Sequence, residues 1–146
     1  TCTTATNVLG GANHIPYNSA LNTTTSSANL QFDGTNLSVG GDITAFASDM
    51  RLKTNLEQIE GAVAKVCKLS GFTYSFNETA GELGFDTETR YAGVSAQQVK
   101  EVLPEAVKPA AVGKGYMTVQ YDKLVPLLIE AVKELKDEIE ELKNGR

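Results

Sequence analysis

Apolar residues fall in short alternating pulses through the first third of the chain and at helical spacing through most of the rest. In "NLQFDG" the pulse is Leu30 and Phe32; in "NLSVGG" it is Leu37 and Val39. This is period two, closed by Asp33-Gly34 and Gly40-Gly41, and it predicts short strands joined by tight turns. The two segments resemble each other and form a weak internal repeat. "HIPY" is a further pulse.

From Thr54 the period lengthens. Leu56, Ile59, Val63 and Val66 stand at helical spacing in "TNLEQIEGAVAKVCKLSG", with Thr54 or Asn55 as a start and Gly71 beyond the end. "FTYSFN" alternates aromatic and polar residues and predicts a strand. "NETAGELGFDTET" is turn-rich and acidic and reads as an exposed loop or hairpin tip. "RYAGVSA" predicts a strand running into a short helix, "QQVKEVL", stopped at Pro104. "EAVKP" and "GYMTVQY" predict two more strands, paired as a hairpin across "PAAVGKG".

The strongest periodicity closes the chain. Val125, Leu128, Val132, Leu135, Ile139 and Leu142 follow 3-4-3-4-3 spacing over a helix expected at 122–143. This is a heptad seam with β-branched residues at a and leucine at d. Asp122 is the expected N-cap, and Pro126 falls in the first turn, where a missing N–H costs least. Glu138 and Lys143 fall at g and the following e, where neighbouring helices pair charges. The alternative is a single amphipathic helix packed on its own domain. Beyond Leu135 little but Ile139 and Leu142 is apolar, which favours a helix covered by other helices. Valine at a with leucine at d favours, taken alone, two strands.

Composition sharpens this division. Of the first 47 residues, 24 are Thr, Asn, Ser or Gly, and the charged ones are Asp33 and Asp42. Every Lys and Arg of the 146-residue chain follows Ser48. Such a polar, uncharged segment buries too little to fold alone, so residues 1–47 read either as a linker or as strands completed by other copies. The formal charge of −5 and the lack of a Lys/Arg cluster argue against a nucleic-acid partner. No apolar run approaches the roughly 18 residues of a membrane span. Cys2 and Cys67, far apart, make neither a metal motif nor a disulfide framework. With His14 the single histidine, no metal or cofactor site is expected. The acidic residues of 78–88 read as a solvated loop. The chain opens on Thr1 and reads as a fragment of something longer.

The change in composition falls inside "FASDMRLKTN". On its own this stretch is a helix-start signal, with Ser48 and Asp49 as caps and Lys53 on a solvated face. Taken with "YAGVSAQQVKEVLPEAV" and "VQYDKLVPLLIEAVKEL", in that order, it resembles the intramolecular chaperone domain at the C-terminus of bacteriophage tailspikes and tail fibres, the self-cleaving endosialidase-type chaperones. The resemblance covers residues 48–146. Residues 1–47 are similar, more weakly and by composition, to the β-structured repeats that precede this domain.

The resemblance implies an α+β fold: a small mixed domain at 48–146, ending in a trimeric coiled-coil helix and preceded by the end of a β-fibre at 1–47. It implies a homotrimer that folds the upstream segment of its own chain and then cuts itself off, with no nucleic acid, membrane or small-molecule substrate involved. Three strands are accordingly expected despite the a and d residues. The chain would be made in the host bacterial cytoplasm, the fibre going to the virion tail and the chaperone part being released. The family's S-D-x-R-x-K motif places the cut between Ala47 and Ser48, with Ser48 and Lys53 as the catalytic pair and Asp49 and Arg51 in support. Chemically, the hydroxyl of Ser48 needs a base, and no histidine is near the motif. A lysine serves only when burial or nearby positive charge favours its neutral form. Arg51 is a candidate for that charge, and Asp49 for orienting Lys53 or Arg51 or capping a turn. Backbone N–H groups at an expected helix start near Thr54 and Asn55 are candidates for stabilising the oxyanion. Gly93 is expected to permit a close approach to the backbone. The other reading, from a different class, is a non-cleaving trimerisation module retained on the fibre.

Overall fold

The computed structural model describes residues 12–21, 23–44 and 47–145. The chain divides into two compact units between Thr54 and Asn55. Cys2 lies outside the described residues.

The first unit is a three-stranded antiparallel sheet in the order β1 (His14–Ala20), β2 (Thr23–Phe32), β3 (Leu37–Val39). The turn between β2 and β3 follows from Asp33-Gly34. The Asp33 carboxylate accepts the N–H groups of Thr35 and Asn36 at 2.8 and 2.6 Å, and Gly34 takes a φ of +103°, which glycine adopts without strain. The same bonds, that of the Asn36 amide first, hold the Asp33 carboxyl below its ordinary value. Leu30 pairs with Val39 and Phe32 with Leu37. Period-two alternation then gathers all four on one face. That face is incompletely covered within the unit: Phe32 is 47% exposed and Leu37 59%.

The second unit mixes helices and strands. α1 (Ala62–Val66) is followed by β4 (Gly71–Tyr74), α2 (Glu78–Glu82), β5 (Tyr91–Val94), α3 (Ala96–Val102), β6 (Val107–Pro109), β7 (Met117–Val119) and α4 (Val125–Asn144). β4 pairs with β5 and β6 with β7, both antiparallel, so the hairpin predicted across "PAAVGKG" forms and the acidic stretch lies between a second pair of strands. Ser95 caps α3 through its hydroxyl, and Pro104 follows that helix in a single 3-10 turn. The acidic stretch contains α2, capped by Asn77, and a turn in which Asp86 accepts the N–H of Glu88 at 2.8 Å and the Thr89 hydroxyl. Ala62, Val102, Leu127 and Ala131 form the buried core, with Ile59, Val63, Val66, Leu69 and Leu103 packed against it. A second cluster is aromatic: Phe76 stacks on Phe85 at 4.5 Å and meets Tyr74 and Tyr91 at 5.3 and 5.2 Å.

Two local expectations change. The helix predicted from Thr54 begins only at Ala62. Residues 55–61 form a strap without regular structure, bracketed by Asn55 and Gly61 at φ +52° and +61°, both left-handed. Leu56, placed on the helical stripe by its spacing, is 62% exposed, while Ile59, Val63 and Val66 do reach the core. The start of α1 is satisfied from far along the chain: the Glu134 carboxylate accepts the N–H of Ala62 and of Val63, each at 2.8 Å. Asp122 likewise makes no cap. It lies inside a 3-10 turn, Tyr121–Leu124, that runs straight into α4 with Pro126 in the first turn.

Gly93 has a close neighbour, a side chain rather than backbone. A β-carbon there would stand 2.6 Å from the Tyr121 hydroxyl, which accepts the N–H of Val94 at 3.3 Å. Gln98 closes the same region by accepting the N–H of Ser70 at 3.1 Å.

Candidate active site

The site forms on one short turn. Asp49 has extended backbone and its carboxylate accepts the N–H of Arg51 at 2.9 Å, capping a single 3-10 turn, Met50–Leu52. The turn is closed by Leu52 N–H to Asp49 C=O and by Lys53 N–H to Met50 C=O, both at 3.1 Å. One turn separates residues 48 and 53, and the long lysine side chain spans it. Lys53 Nζ donates to Ser48 Oγ at 3.0 Å.

Asp49 and Arg51 pair with each other. The guanidinium reaches both carboxylate oxygens, with the shortest contact at 2.7 Å. That ion pair, followed by the Arg51 amide, holds the Asp49 carboxyl below its ordinary value and raises Arg51. The guanidinium that was the candidate positive neighbour of Lys53 is thus paired with Asp49. Of the three roles open to Asp49, it takes two, the turn cap and the Arg51 partner.

Ser48, Lys53 and Ala47 are all exposed in the single chain. Around them Met50 is 61% and Leu52 72% exposed, an apolar fringe on either side of Arg51. No helix starts at Thr54 and Asn55, so the oxyanion donors expected there lose the helix that would have aimed them. The N–H groups of the helix that does form, at Ala62 and Val63, are occupied by Glu134. Among the described residues no group of His, Cys, Asp and Glu side chains gathers for a metal ion.

The six seam residues share one stripe of α4. Val125, Leu128, Val132, Leu135, Ile139 and Leu142 are between 44% and 73% exposed. The helix faces its own core through a neighbouring stripe, Leu127 and Ala131, continued by Glu134. Sequence reasoning missed that inner stripe. Glu130 and Glu134, one turn apart, drew no reading from the sequence; yet Glu130 accepts Gln58 Nε2 at 2.8 Å and Glu134 caps α1. The available signal was two carboxylates on the side of the helix that carries Leu127 and Ala131.

Comparison with known proteins agrees with the motifs. Residues 48–108 match the family model described as Chaperone of endosialidase, Peptidase_S74. The long tail fiber protein Gp37 of Enterobacteria phage K3 is 42% identical over 99 residues, which cover 66% of this chain and 8% of that relative. Gp37 of Enterobacteria phage M1 is 36% identical over 119 residues, 78% of this chain and 47% of the relative. Gp37 of Salmonella phage S16 is 32% identical over 98 residues, 66% of this chain and 13% of the relative. The matched region thus spans less than half the length of each of these relatives. The stretch from the turn that carries Ser48 and Lys53 to Lys108 in β6 thus matches the chaperone-of-endosialidase family, Peptidase_S74.

Proposed function

We propose that residues 48–146 are an intramolecular chaperone for a phage tail fibre, which gathers three copies, folds the β-structured residues 1–47 in register and then cuts the Ala47–Ser48 bond. The observation that carries this reading is the 3.0 Å contact between Lys53 Nζ and Ser48 Oγ beside that bond. With Lys53 neutral, the same contact takes up the hydroxyl proton as Ser48 Oγ attacks the carbonyl carbon of Ala47. The bond from that carbon to the Ser48 nitrogen then breaks, and Lys53 returns the proton to the departing amine. Water opens the resulting ester, leaving an Ala47 carboxylate and a free Ser48 hydroxyl. Attack on the residue's own preceding carbonyl, through a five-membered ring, and attack on a neighbouring copy follow the same balance.

Assembly supplies what the single chain lacks. A lysine base needs dry surroundings, and Ser48 and Lys53 are exposed here. Burial of the apolar fringe of Met50 and Leu52 on assembly would shield the pair, so cutting would wait for the trimer. The exposed seam and the half-covered face of Leu30, Phe32, Leu37 and Val39 support this reading, as do relatives named as long tail fibre proteins. Gathering three C-termini raises their effective concentration, and an intertwined fibre released from its chaperone persists behind its unfolding barrier.

A second reading, a trimerisation module retained on the fibre, is favoured by the same exposure of the pair and by the pairing of Arg51 with Asp49. Intact-mass spectrometry of the purified chain beside Ser48→Ala separates the two. Fragments split at Ala47–Ser48 in the parent and a single mass in the variant support the protease. One full-length mass in both retires it and leaves the clamp.

A further inference from the structure

The strap at residues 55–61 follows the Ser48–Lys53 turn in the chain, with only Thr54 between Lys53 and Asn55. It has no helix or strand of its own. Its hold on α4 includes two carboxylates one helical turn apart. Gln58 Nε2 donates to Glu130 Oε2 at 2.8 Å. Where the strap ends, Glu134 Oε1 and Oε2 accept the N–H of Ala62 and Val63, both at 2.8 Å. Val132 and Leu135, which flank Glu134 in sequence, are 66% and 44% exposed on the seam. A single turn of α4 therefore presents seam residues outward and clasps the strap inward.

We propose that Glu134, with Glu130 beside it, is a positioning residue: it fixes the strap against α4, so that seating α4 among its copies sets the chain leading back to Lys53 and Ser48. Two N–H groups received by two oxygens of one carboxylate fix both the direction and the distance of the strap's end, whereas one contact would leave it free to pivot. The role proposed for the clasp is positional, exerted through the chain. Its effect on cutting rests on the self-cleavage proposed above.

The test compares Glu134→Gln, Glu134→Asp and Gln58→Met in the full chain. Three quantities are measured: the rate of Ala47–Ser48 cleavage by intact mass, the molecular mass by light scattering, and amide exchange at residues 55–63. Glutamine keeps the shape but offers one acceptor oxygen where two are needed; aspartate keeps both. The expected result is an unchanged mass, cleavage slowed by about tenfold or more in Glu134→Gln, since small misplacements cost that much, and partial recovery in Glu134→Asp. Gln58→Met, at an exposed bond away from the core, is expected to give a smaller slowing in the same direction. Parental cleavage rates in both Glu134→Gln and Gln58→Met at unchanged mass would overturn the proposal. If the parent itself does not cut, the self-cleavage reading fails and exchange decides the clasp. Faster exchange at Ala62 and Val63 in Glu134→Gln, with the core of α4 still protected, upholds the coupling of strap to helix; parental exchange there refutes it.

Discussion

The Tyr121 hydroxyl stands 2.6 Å from the point a β-carbon on residue 93 would occupy. Tyr121 opens the turn into α4, and Gly93 lies in β5 opposite Phe72, so this approach joins the final helix to the first hairpin of its unit. Gly93→Ala is expected to destabilise the unit by about 1–3 kcal/mol, the usual cost of overpacking. Tyr121→Phe removes the oxygen that the new methyl would meet, so the double variant should recover part of the loss. Urea unfolding of the two single variants and the double variant checks this, and strictly additive losses would contradict the close approach.

Lys53 is expected to be irreplaceable by another cation. Under the proposed mechanism Lys53→Met and Lys53→Arg both lower the rate of Ala47–Ser48 cleavage by about a hundredfold or more, since a guanidinium keeps its proton. The measurement is a time course of intact mass after refolding from denaturant. An arginine variant that cuts at the parental rate would remove Lys53 as the base.

The seam can be broken without disturbing the core. Val132 and Leu135 are exposed within the chain, whereas Leu127 and Ala131 beside them are buried. Val132→Asp with Leu135→Asp is expected to convert a trimer into monomers whose β-hairpins and core remain folded, and to suppress cleavage with it. Light scattering and near-ultraviolet circular dichroism follow the two effects separately. A stable dimer in the parent would restore the preference that valine at a and leucine at d express on their own.

Acid should loosen the clasp. The N–H groups of Val63 and Ala62 hold the Glu134 carboxyl below its ordinary 4.5, against the opposing charge of Glu130; Lys133 and Gln58 do the same for Glu130. A carboxyl depressed in the folded state contributes stability that is fully present above its unfolded value and is lost as pH falls through its folded one. Stability is therefore expected to hold from pH 7 to about 5 and to decline below pH 4.5. The decline should be shallower in Glu134→Gln. Urea titrations at stepped pH give both slopes, and identical slopes would exclude Glu134 from the acid response.

What was legible in the sequence were the elements whose cause is local. Alternation in Leu30, Phe32, Leu37 and Val39 marks a sheet face because side chains in a strand repeat every two residues. Asp33-Gly34 marks its turn because the carboxylate and the left-handed glycine act within four residues. Pro104 stops α3 for an equally local reason, whereas Ser95, read as part of the strand, turns out to cap that helix. Illegible were the elements made by distant partners. The strap looked helical because Ile59, Val63 and Val66 keep helical spacing, but left-handed Asn55 and Gly61 interrupt it, and the start of α1 is satisfied by a glutamate some 70 positions later. At the candidate site, motif spacing marked Ser48 and Lys53, which the turn brings into contact. It left open whether Asp49 would take Arg51 or Lys53, because that depends on which way one guanidinium folds back.

The distribution of contacts along α4 has a further consequence. Its buried residues and both clasping carboxylates lie in its first ten positions; from Leu135 onward every described residue is exposed. About ten residues of helix, some 15 Å, thus project past the support of their own unit. A helical segment that short is marginal in water by itself. Under the trimer proposal its order is lent by the other copies, so dilution should fray this tail before anything else melts. Far-ultraviolet circular dichroism would then fall with protein concentration, and the end of the chain would register how many copies have met.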